Sequence, residues 1–198
     1  MPIKKDTIDY YNKNSQSSAK RFAEFGGRYD IEGTLSLLDG KNPKVLEIGC
    51  GAGRDAERIL KYTNDYLGFD ISKQMVNLAK KNVPSGKFLV KDLENYNFPQ
   101  GLDFIFALTS LLHSNKGIIK KVFKKISHNL NSGGIFYISL KYGRYHREII
   151  KDELGARVFY FYTPKDIINM AGKKFKILYK DVHVLKGRKF FIIILQKI

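Results

Sequence analysis

The feature that most constrains this chain is the segment Val45–Arg54, where a short apolar run meets three closely spaced glycines. The run Val45–Ile48 contains an acid, Glu47, and glycine follows at positions 49, 51 and 53. A short apolar run bounded by glycine is typical of a buried strand. Glycine at alternate positions indicates a tight turn in which the backbone approaches another group closely. The segment therefore predicts a strand that ends in a ligand-binding turn.

A second acid ends the next apolar run. Tyr66–Phe69 leads into Asp70, which lies 23 residues after Glu47. Two strands of one sheet, each ending in an acid, predict a nucleotide pocket in a doubly wound fold. Position 54 is Arg54, where the dinucleotide fingerprint has its third glycine, and no Gly-Lys-Ser or Gly-Lys-Thr triplet is present. The NAD interpretation is thereby weakened and a P-loop is excluded.

Strand and helix patterns alternate along most of the chain, which predicts parallel strands joined by right-handed crossovers. The predicted strands are near 44–48, 65–69, 86–90, 102–107 and 135–140, and helices are predicted near 53–62, 72–82 and 115–130. Two apolar runs at 175–185 and 189–197 predict a closing antiparallel hairpin. The tyrosine- and arginine-rich residues 141–162 are expected to be irregular. The expected fold class is a Rossmann-like α/β doubly wound sheet of seven strands.

Composition limits the class of protein. A length of 198 residues with 43% hydrophobic residues suits one domain with a full core. Cys50 is the only cysteine, which excludes a disulfide framework and a cysteine-rich metal site, and no other metal site is predicted. No apolar run reaches the ~18 residues of a membrane span, and the first residues lack a signal-peptide core. We expect a cytoplasmic protein without a membrane partner, either a monomer or a homodimer.

The positive charge is uneven along the chain. Residues 1–115 carry 16 basic and 14 acidic side chains, whereas residues 116–198 carry 19 and 5, a net charge of 19 − 5 = +14. Such asymmetry is compatible with an anionic substrate or nucleic acid. In the helix near 115–130, four lysines at 120, 121, 124 and 125 fall opposite the apolar face and are expected to be a solvated surface.

The acids at the strand ends suit particular parts of a nucleotide. The carboxylate of Asp70 can accept two hydrogen bonds from ribose hydroxyls. Asp92, at the end of the third predicted strand, can accept a bond from an adenine amino group. Glu47, beneath the glycine turn, can hold a cationic group or orient the loop backbone.

With these residues the chain resembles a class I S-adenosylmethionine (SAM)-dependent methyltransferase over roughly residues 40–198. The resemblance is carried by 45–54, 68–72, 91–93, the strand at 102–107 and Ser132-Gly133-Gly134. It implies the strand order 3-2-1-4-5-7-6 with strand 7 antiparallel, SAM as cofactor and S-adenosylhomocysteine (SAH) as product. The cofactor-binding residues that it implies are Tyr11, Glu47, Gly49, Cys50, Gly51, Gly53, Asp70, Ile71, Asp92, Leu93 and Leu108.

A narrower likeness is to small bacterial methyltransferases related to tellurite-resistance enzymes. It is carried by Ser110–His113, Ser139–Gly143 and Gly155–Arg157 with Tyr160 and Tyr162. In this interpretation residues 1–40 form a helical lid, with Tyr10-Tyr11 over the cofactor or in ordinary helix packing. Residues 41–198 form the core of a single domain, and 141–162 are a substrate-side insert.

In this fold the acceptor lies above the ends of strands 4 and 5. Candidate catalytic residues there are His113 and Lys141, and candidate substrate-side residues are Tyr142, Arg157 and Tyr160. A hydroxyl or protonated amine needs a base, for which His113 is the natural candidate. A carboxylate, thiolate or chalcogen anion needs none, and Lys141, Arg144, Arg147 and Arg157 can then orient it.

Three functions fit the pattern. The preferred one is methyl transfer to a small-molecule acceptor, which the basic residues allow to be anionic. A nucleic-acid methyltransferase is an alternative because the basic half can serve as a phosphate track, but the Asp/Asn-Pro-Pro-Tyr element of adenine-N6 enzymes is absent. A non-catalytic SAM-binding module is the third.

Overall fold

The computed structural model describes residues 2–24, 30–38, 40 and 42–198, with the side chains of residues 2 and 3 excepted. It contains a seven-stranded sheet and a separate two-stranded one. The strands are β1 (Val45–Ile48), β2 (Tyr66–Asp70), β3 (Lys87–Val90), β4 (Leu102–Leu108), β5 (Leu130–Lys141), β6 (His146–Asp152), β7 (Gly155–Phe161), β8 (Phe175–Leu185) and β9 (Arg188–Lys197). The helices are α1 (Pro2–Lys13), α2 (Ser15–Ala23), α3 (Ile31–Leu35), α4 (Ala56–Ile59), α5 (Lys73–Asn82), α6 (Lys116–Asn129) and α7 (Pro164–Ala171).

The large sheet has the order β3-β2-β1-β4-β5-β9-β8. The first five positions are parallel, and β9 runs antiparallel between β5 and β8. The expected order 3-2-1-4-5-7-6 is confirmed, with β8 and β9 as its sixth and seventh strands. Because β1 lies at the centre, the glycine turn that follows it opens at the point where the strand order reverses, which is where doubly wound sheets bind ligands.

The apolar residues predicted to face inward form a layer on each side of the sheet. Leu46, Ile105 and Phe136 belong to the layer that α6 covers, and Val45, Phe104 and Tyr137 belong to the other. Successive residues of each of these strands thus point to opposite faces of the sheet. All four residues of β1 are buried, as expected for a central parallel strand covered on both faces.

Local signals predicted helix starts well. Ser72 caps α5 by accepting from Met75 N, and Asn115 caps α6 by accepting from Ile118 N. Thr163 and Asp166 form a reciprocal capping box at α7, with Pro164 in the first turn. These caps satisfy backbone N–H groups that have no partner within the helix.

Two predictions of local structure were wrong. Residues 141–162 are not irregular, because β6 and β7 pair over seven residues as an antiparallel hairpin. The charged side chains of β6 hid its strand character, since that strand is largely exposed and has no alternating apolar face. The helix expected over 53–62 is reduced to α4 because the turn after β1 continues to Asp55.

No helix within the residues that the structure describes is long and apolar enough to cross a membrane.

Candidate active site

A cavity of about 660 Å³ lies at the carboxyl ends of β1 to β4. Its acidic half consists of the lining residues at and just beyond the carboxyl ends of the first three of these strands, at 47–55, 69–71 and 91–94. Its basic half consists of lining residues 108–121, which follow β4, together with Arg147, Val158 and Tyr160 of the hairpin. Helices α1 and α2 contribute Lys4, Tyr11 and Phe22 to the lining. The cavity has the volume of a typical small-molecule site.

The three glycines of the turn have different surroundings although all have positive φ angles. A Cβ on Gly49 would lie 2.3 Å from the Cβ of Ser110, and one on Gly53 would lie 3.3 Å from the Cα of Ala79. A Cβ on Gly51 would meet nothing within 4 Å. Gly49 and Gly53 are therefore required by the packing of the protein itself, whereas Gly51 leaves open space beside the cavity.

Asp70 is the hydrogen-bonding centre of the acidic half. Its carboxylate accepts from Gly51 N at 3.1 Å and from Ser72 N at 2.8 Å. Burial raises the pKa of Asp70, and the backbone donors oppose that effect. An ionised carboxylate offers about four acceptor positions, so the two backbone bonds leave Asp70 able to accept from a ligand.

Glu47 lies deeper in the acidic half and is buried. It accepts a hydrogen bond from the Tyr66 hydroxyl. Burial raises the pKa of Glu47, and the nearby carboxylate of Asp55 adds to this. Asp55 forms an ion pair with Arg54. A cation entering this half would therefore favour the ionised form of Glu47. Burial also raises the pKa of the Cys50 thiol, which keeps it un-ionised.

Asp92 has a partner that the sequence did not indicate. Lys4 of α1 donates to both oxygens of Asp92, at 2.8 and 3.1 Å, and to Glu94 at 2.6 Å. Burial alone would raise the pKa of Asp92, but the Lys4 hydrogen bond, the hydrogen bond from Glu94 N and the charges of Lys4 and Lys125 together outweigh burial, and the pKa is lowered. The side chains of Ile71, Leu93 and Leu108 line the same cavity.

His113 joins the basic half to α1. Its Nδ1 forms a hydrogen bond with the Val158 carbonyl, which can only accept, so Nδ1 carries the proton. In the neutral ring Nε2 is then an acceptor, and Tyr11 Oη lies 3.0 Å from it as the donor. Burial lowers the pKa of His113 to about 4, and the charges of Arg157 and Lys141 act in the same direction. His113 is therefore neutral at physiological pH.

Of the residues predicted to lie on the acceptor side with His113, the structure brings only some to the cavity. Tyr160 lines it, whereas Lys141, Tyr142 and Arg157 do not. The Lys141 ammonium lies 3.9 Å above the centre of the Phe159 ring, and burial lowers its pKa to about 8. Lys141 at the end of β5, the adjacent Tyr142 and Arg157 of β7 pack behind the cavity wall instead.

Arg157 and Tyr142 have structural partners there. The Arg157 guanidinium lies 4.0 Å above the Tyr10 ring and donates to Asp152 at 2.7 Å. Tyr142 packs edge-on against the Phe191 ring. Of the other basic residues considered, Arg147 lines the cavity and Arg144 does not.

Several residues that line the cavity were not predicted as site residues from the sequence, among them Lys4, Phe22, Ser110 and Lys121. The spacing of Lys4, Ile8 and Tyr11 along α1 puts them on one helix face, and this signal was available. Lys121 was expected to face solvent only. Lys125 was too, but its ammonium donates to three backbone carbonyls, of Leu93, Glu94 and Tyr96.

Comparison with known proteins agrees with this geometry. Residues 45–134 match the family described as "Methyltransferase domain". Malonyl-[acyl-carrier protein] O-methyltransferase 2 of Ilyobacter polytropus is 33% identical over 139 residues, which are 65% of this chain and 52% of that protein. The chain thus spans about half the length of this curated relative. Its match to malonyl-[acyl-carrier protein] O-methyltransferase 1 of the same organism covers 27% of that protein.

Solved structures share the fold. A TehB-like SAM-dependent methyltransferase from Corynebacterium glutamicum superposes with a TM-score of 0.68 at 20% identity, covering 93% of this chain and 98% of that one. Magnesium protoporphyrin IX methyltransferase from Synechocystis, solved with bound SAM, gives 0.69 at 15% identity, covering 96% and 94%. The chain therefore shares the fold of these SAM-dependent methyltransferases, and its residues 45–134, which include the glycine turn, match the methyltransferase-domain family.

Proposed function

We propose that this chain transfers the methyl group of SAM to a small, negatively charged acceptor. The observation that carries the proposal is the cavity at the carboxyl edge of β1 to β4, in which all the carboxyl groups of the described lining lie in one half and the other half has cations alone. Bound SAM supplies a methyl group on a positively charged sulfur, which is a good leaving group. Positioning the acceptor against that methyl group is then the main task of the protein.

The acidic half suits SAM in three respects. Asp70 has free acceptor capacity for the two ribose hydroxyls, as argued from its two backbone bonds. Glu47 is a buried carboxylate near which a cationic group is favoured. Gly51 lacks a side chain at a point where the protein leaves open space. We assign Gly49, Gly53, Cys50, Ile71, Leu93 and Leu108 to the walls around these groups.

Helices α1 and α2 are proposed as a lid over the site. Hydrogen bonds that hold α1 to the core include those of Lys4 with Asp92, Thr7 with Val158 N, Asn12 with Ser72, and Tyr11 with His113. The adenine amino group would compete with Lys4 for the Asp92 carboxylate. We therefore expect cofactor entry to require the first of these contacts to loosen.

The acceptor is assigned to the basic half. Tyr11, His113 and Tyr160 border this half, and Lys121 and Arg147 make it positive. Two curated relatives are named for malonyl-[acyl-carrier protein] and trans-aconitate as acceptors. The volume of the cavity favours a small molecule over a nucleic acid.

The test is a pair of glycine variants. Gly51→Ala and Gly187→Ala both place a Cβ at a positive φ with nothing within 4 Å, so both should cost similar stability. Only the methyl group at position 51 would occupy the proposed cofactor path. We expect Gly51→Ala to weaken SAM binding at least tenfold in calorimetry and Gly187→Ala to leave it unchanged. Equal SAM affinity in both variants would remove Gly51 from the cofactor path.

Catalysis is tested separately. Release of SAH from SAM in the presence of an acceptor distinguishes an enzyme from a SAM-binding module. Binding of SAM without SAH release for any small anion or nucleic acid would favour the module.

A further inference from the structure

The two halves of the cavity have opposite charge. Among the described lining residues, every carboxylate belongs to the acidic half: Glu47, Asp55, Asp70, Asp92 and Glu94. The basic half contains Lys121 and Arg147 and, within the same described set, no carboxylate. The acidic half also contains Arg54 and Lys91, so its five carboxyl groups outnumber its cations, whereas the basic half has cations alone. A ligand that fills both halves therefore meets mainly carboxyl groups at one end and only cations at the other.

Arg147 differs from the other arginines near the site. Arg54 is paired with Asp55, and Arg157 is paired with Asp152. The side chain of Arg147 forms no ion pair or hydrogen bond with any residue that the structure describes. It lies opposite Tyr160 in the β6–β7 hairpin, and both line the cavity. Arg147 thus presents an uncompensated guanidinium, a group that matches carboxylate geometry, at the edge of the basic half.

The side chains bordering the basic half do not supply a strong base. His113 already uses Nδ1 to donate to Val158 O and Nε2 to accept from Tyr11. Burial and the nearby Arg157 and Lys141 charges hold its pKa at about 4. Tyr11 is itself un-ionised, since burial raises its pKa to about 12. A hydroxyl or ammonium acceptor would need to lose a proton here, whereas a carboxylate with its usual pKa of about 4 arrives ionised.

We propose that the acceptor carries a carboxylate, that Arg147 binds one of its oxygens, and that the other oxygen takes the methyl group without a base. This inference rests on the proposed function. The carboxylate oxygen forms the new bond to the methyl carbon while the carbon–sulfur bond breaks and leaves its electron pair on sulfur. The negative and positive charges cancel, so the products are a neutral methyl ester and a neutral thioether. No proton is released.

The experiment measures binding of small carboxylates to the protein saturated with SAH. The probes are benzoate and glutarate, each with its neutral amide, benzamide and glutaramide, as the matched control. Binding is followed by shifts of backbone amide NMR signals and by calorimetry. The variants are Arg147→Gln and, as control, Arg144→Gln, which changes an exposed arginine of the same segment that does not line the cavity.

We expect both carboxylates to shift signals of β6, β7 and residues 113–118 in the wild type and in Arg144→Gln. Their affinity for Arg147→Gln should be about tenfold weaker, the loss typical of a hydrogen bond to a charged group. The amides should not bind. The affinity of Arg147→Gln for SAH should equal that of the wild type, because Arg147 lies outside the acidic half.

Three results would overturn the inference: amides that bind as tightly as the acids, Arg147→Gln binding the acids like the wild type, or no carboxylate binding to the SAH-loaded protein. Failure of the proposed function looks different. In that case the wild type does not bind SAH at all, as the first calorimetric titration shows.

Discussion

The acidic and basic halves of the cavity are built in different ways. The acidic half comes from three short segments at the ends of β1, β2 and β3. It has a local hydrogen bond between Asp70 and Ser72, and α1 adds only Lys4, which reaches Asp92 from 88 residues away. The basic half is assembled across the chain: His113 contacts Val158 and Tyr11, which are 45 and 102 residues away. Local sequence can specify the first arrangement, whereas the second exists only once the hairpin and α1 are docked.

The largest expected effect is at Gly49, where the two halves touch. A Cβ there would collide with the Ser110 Cβ, and Gly187, with a similar φ, has open space. The left-handed backbone and the overpacking together should cost Gly49→Ala about 2–5 kcal/mol of unfolding free energy. Gly187→Ala should lose only about 1–2 kcal/mol. Urea unfolding of both variants makes the comparison, and equal losses would show that Ser110 moves aside freely.

The acidic half by itself is tested at Asp70. Asp70→Ala should weaken SAM binding by about 1.5–3 kcal/mol, the range for hydrogen bonds to a charged group. The control is Asp65→Ala, which removes an exposed carboxylate before β2. Titration calorimetry gives both affinities. An unchanged affinity in Asp70→Ala would mean that this carboxylate serves only to cap the turn and α5.

The basic half is tested through the pH dependence of stability. His113 binds a proton near pH 6.5 in an unfolded chain but only near pH 4 in the folded protein. Between these pH values the unfolded state binds more protons than the folded state. The contribution of neutral His113 to the stability of the fold is therefore present above pH 6.5 and declines as the pH falls towards 4. From pH 7 to pH 5 the loss should be about 1–2 kcal/mol.

Burial raises the pKa of Glu47 to about 8, so its protonation stabilises the folded state over the same range. The His113 loss is therefore measured as the difference in pH dependence of the denaturant midpoints between the wild type and a His113 variant. His113→Asn, which retains a donor for Val158 O, should remove most of it. His128→Asn, which changes an exposed histidine, should not. The assignment of a neutral His113 is wrong if both variants keep the full pH dependence.

The smallest effect is expected at the contact between α1 and the basic half. Tyr11→Phe removes the donor to His113 Nε2 and should lower stability by about 1 kcal/mol, the net value of one hydrogen bond. Tyr62→Phe removes a hydroxyl from an exposed ring and should change nothing measurable. Thermal unfolding compares the two variants. No difference between them would mean that the Tyr11 contact contributes nothing to holding α1.

Individual residues show why the sequence predicted the lining of the acidic half of the cavity better than that of the basic half. Glu47 and Asp70 were identified because strand, turn and helix follow one another within a few residues, and hydrophobic periodicity marks each step. Lys141 and Arg157 were assigned to the acceptor side from their position in the chain, yet the structure turns both towards Phe159. Alternation along a strand sends neighbouring side chains to opposite faces, so Arg157 lies behind the wall while its neighbour Val158 lines the cavity.

The sequence by itself determined the class of fold, the strand that carries the glycine turn and the acids at or near the ends of β1 to β3. These features depend on short-range periodicity and on backbone conformations that only glycine adopts easily. Tertiary structure alone decided that Lys4 reaches Asp92, that Tyr11 donates a hydrogen bond to His113, and that the Arg147 side chain lines the cavity without an ion-pair partner among the described residues. The first two contacts join segments about 90 residues apart or more. The third depends on which face of the β6–β7 hairpin points inward, and no local sequence pattern encodes either kind of information.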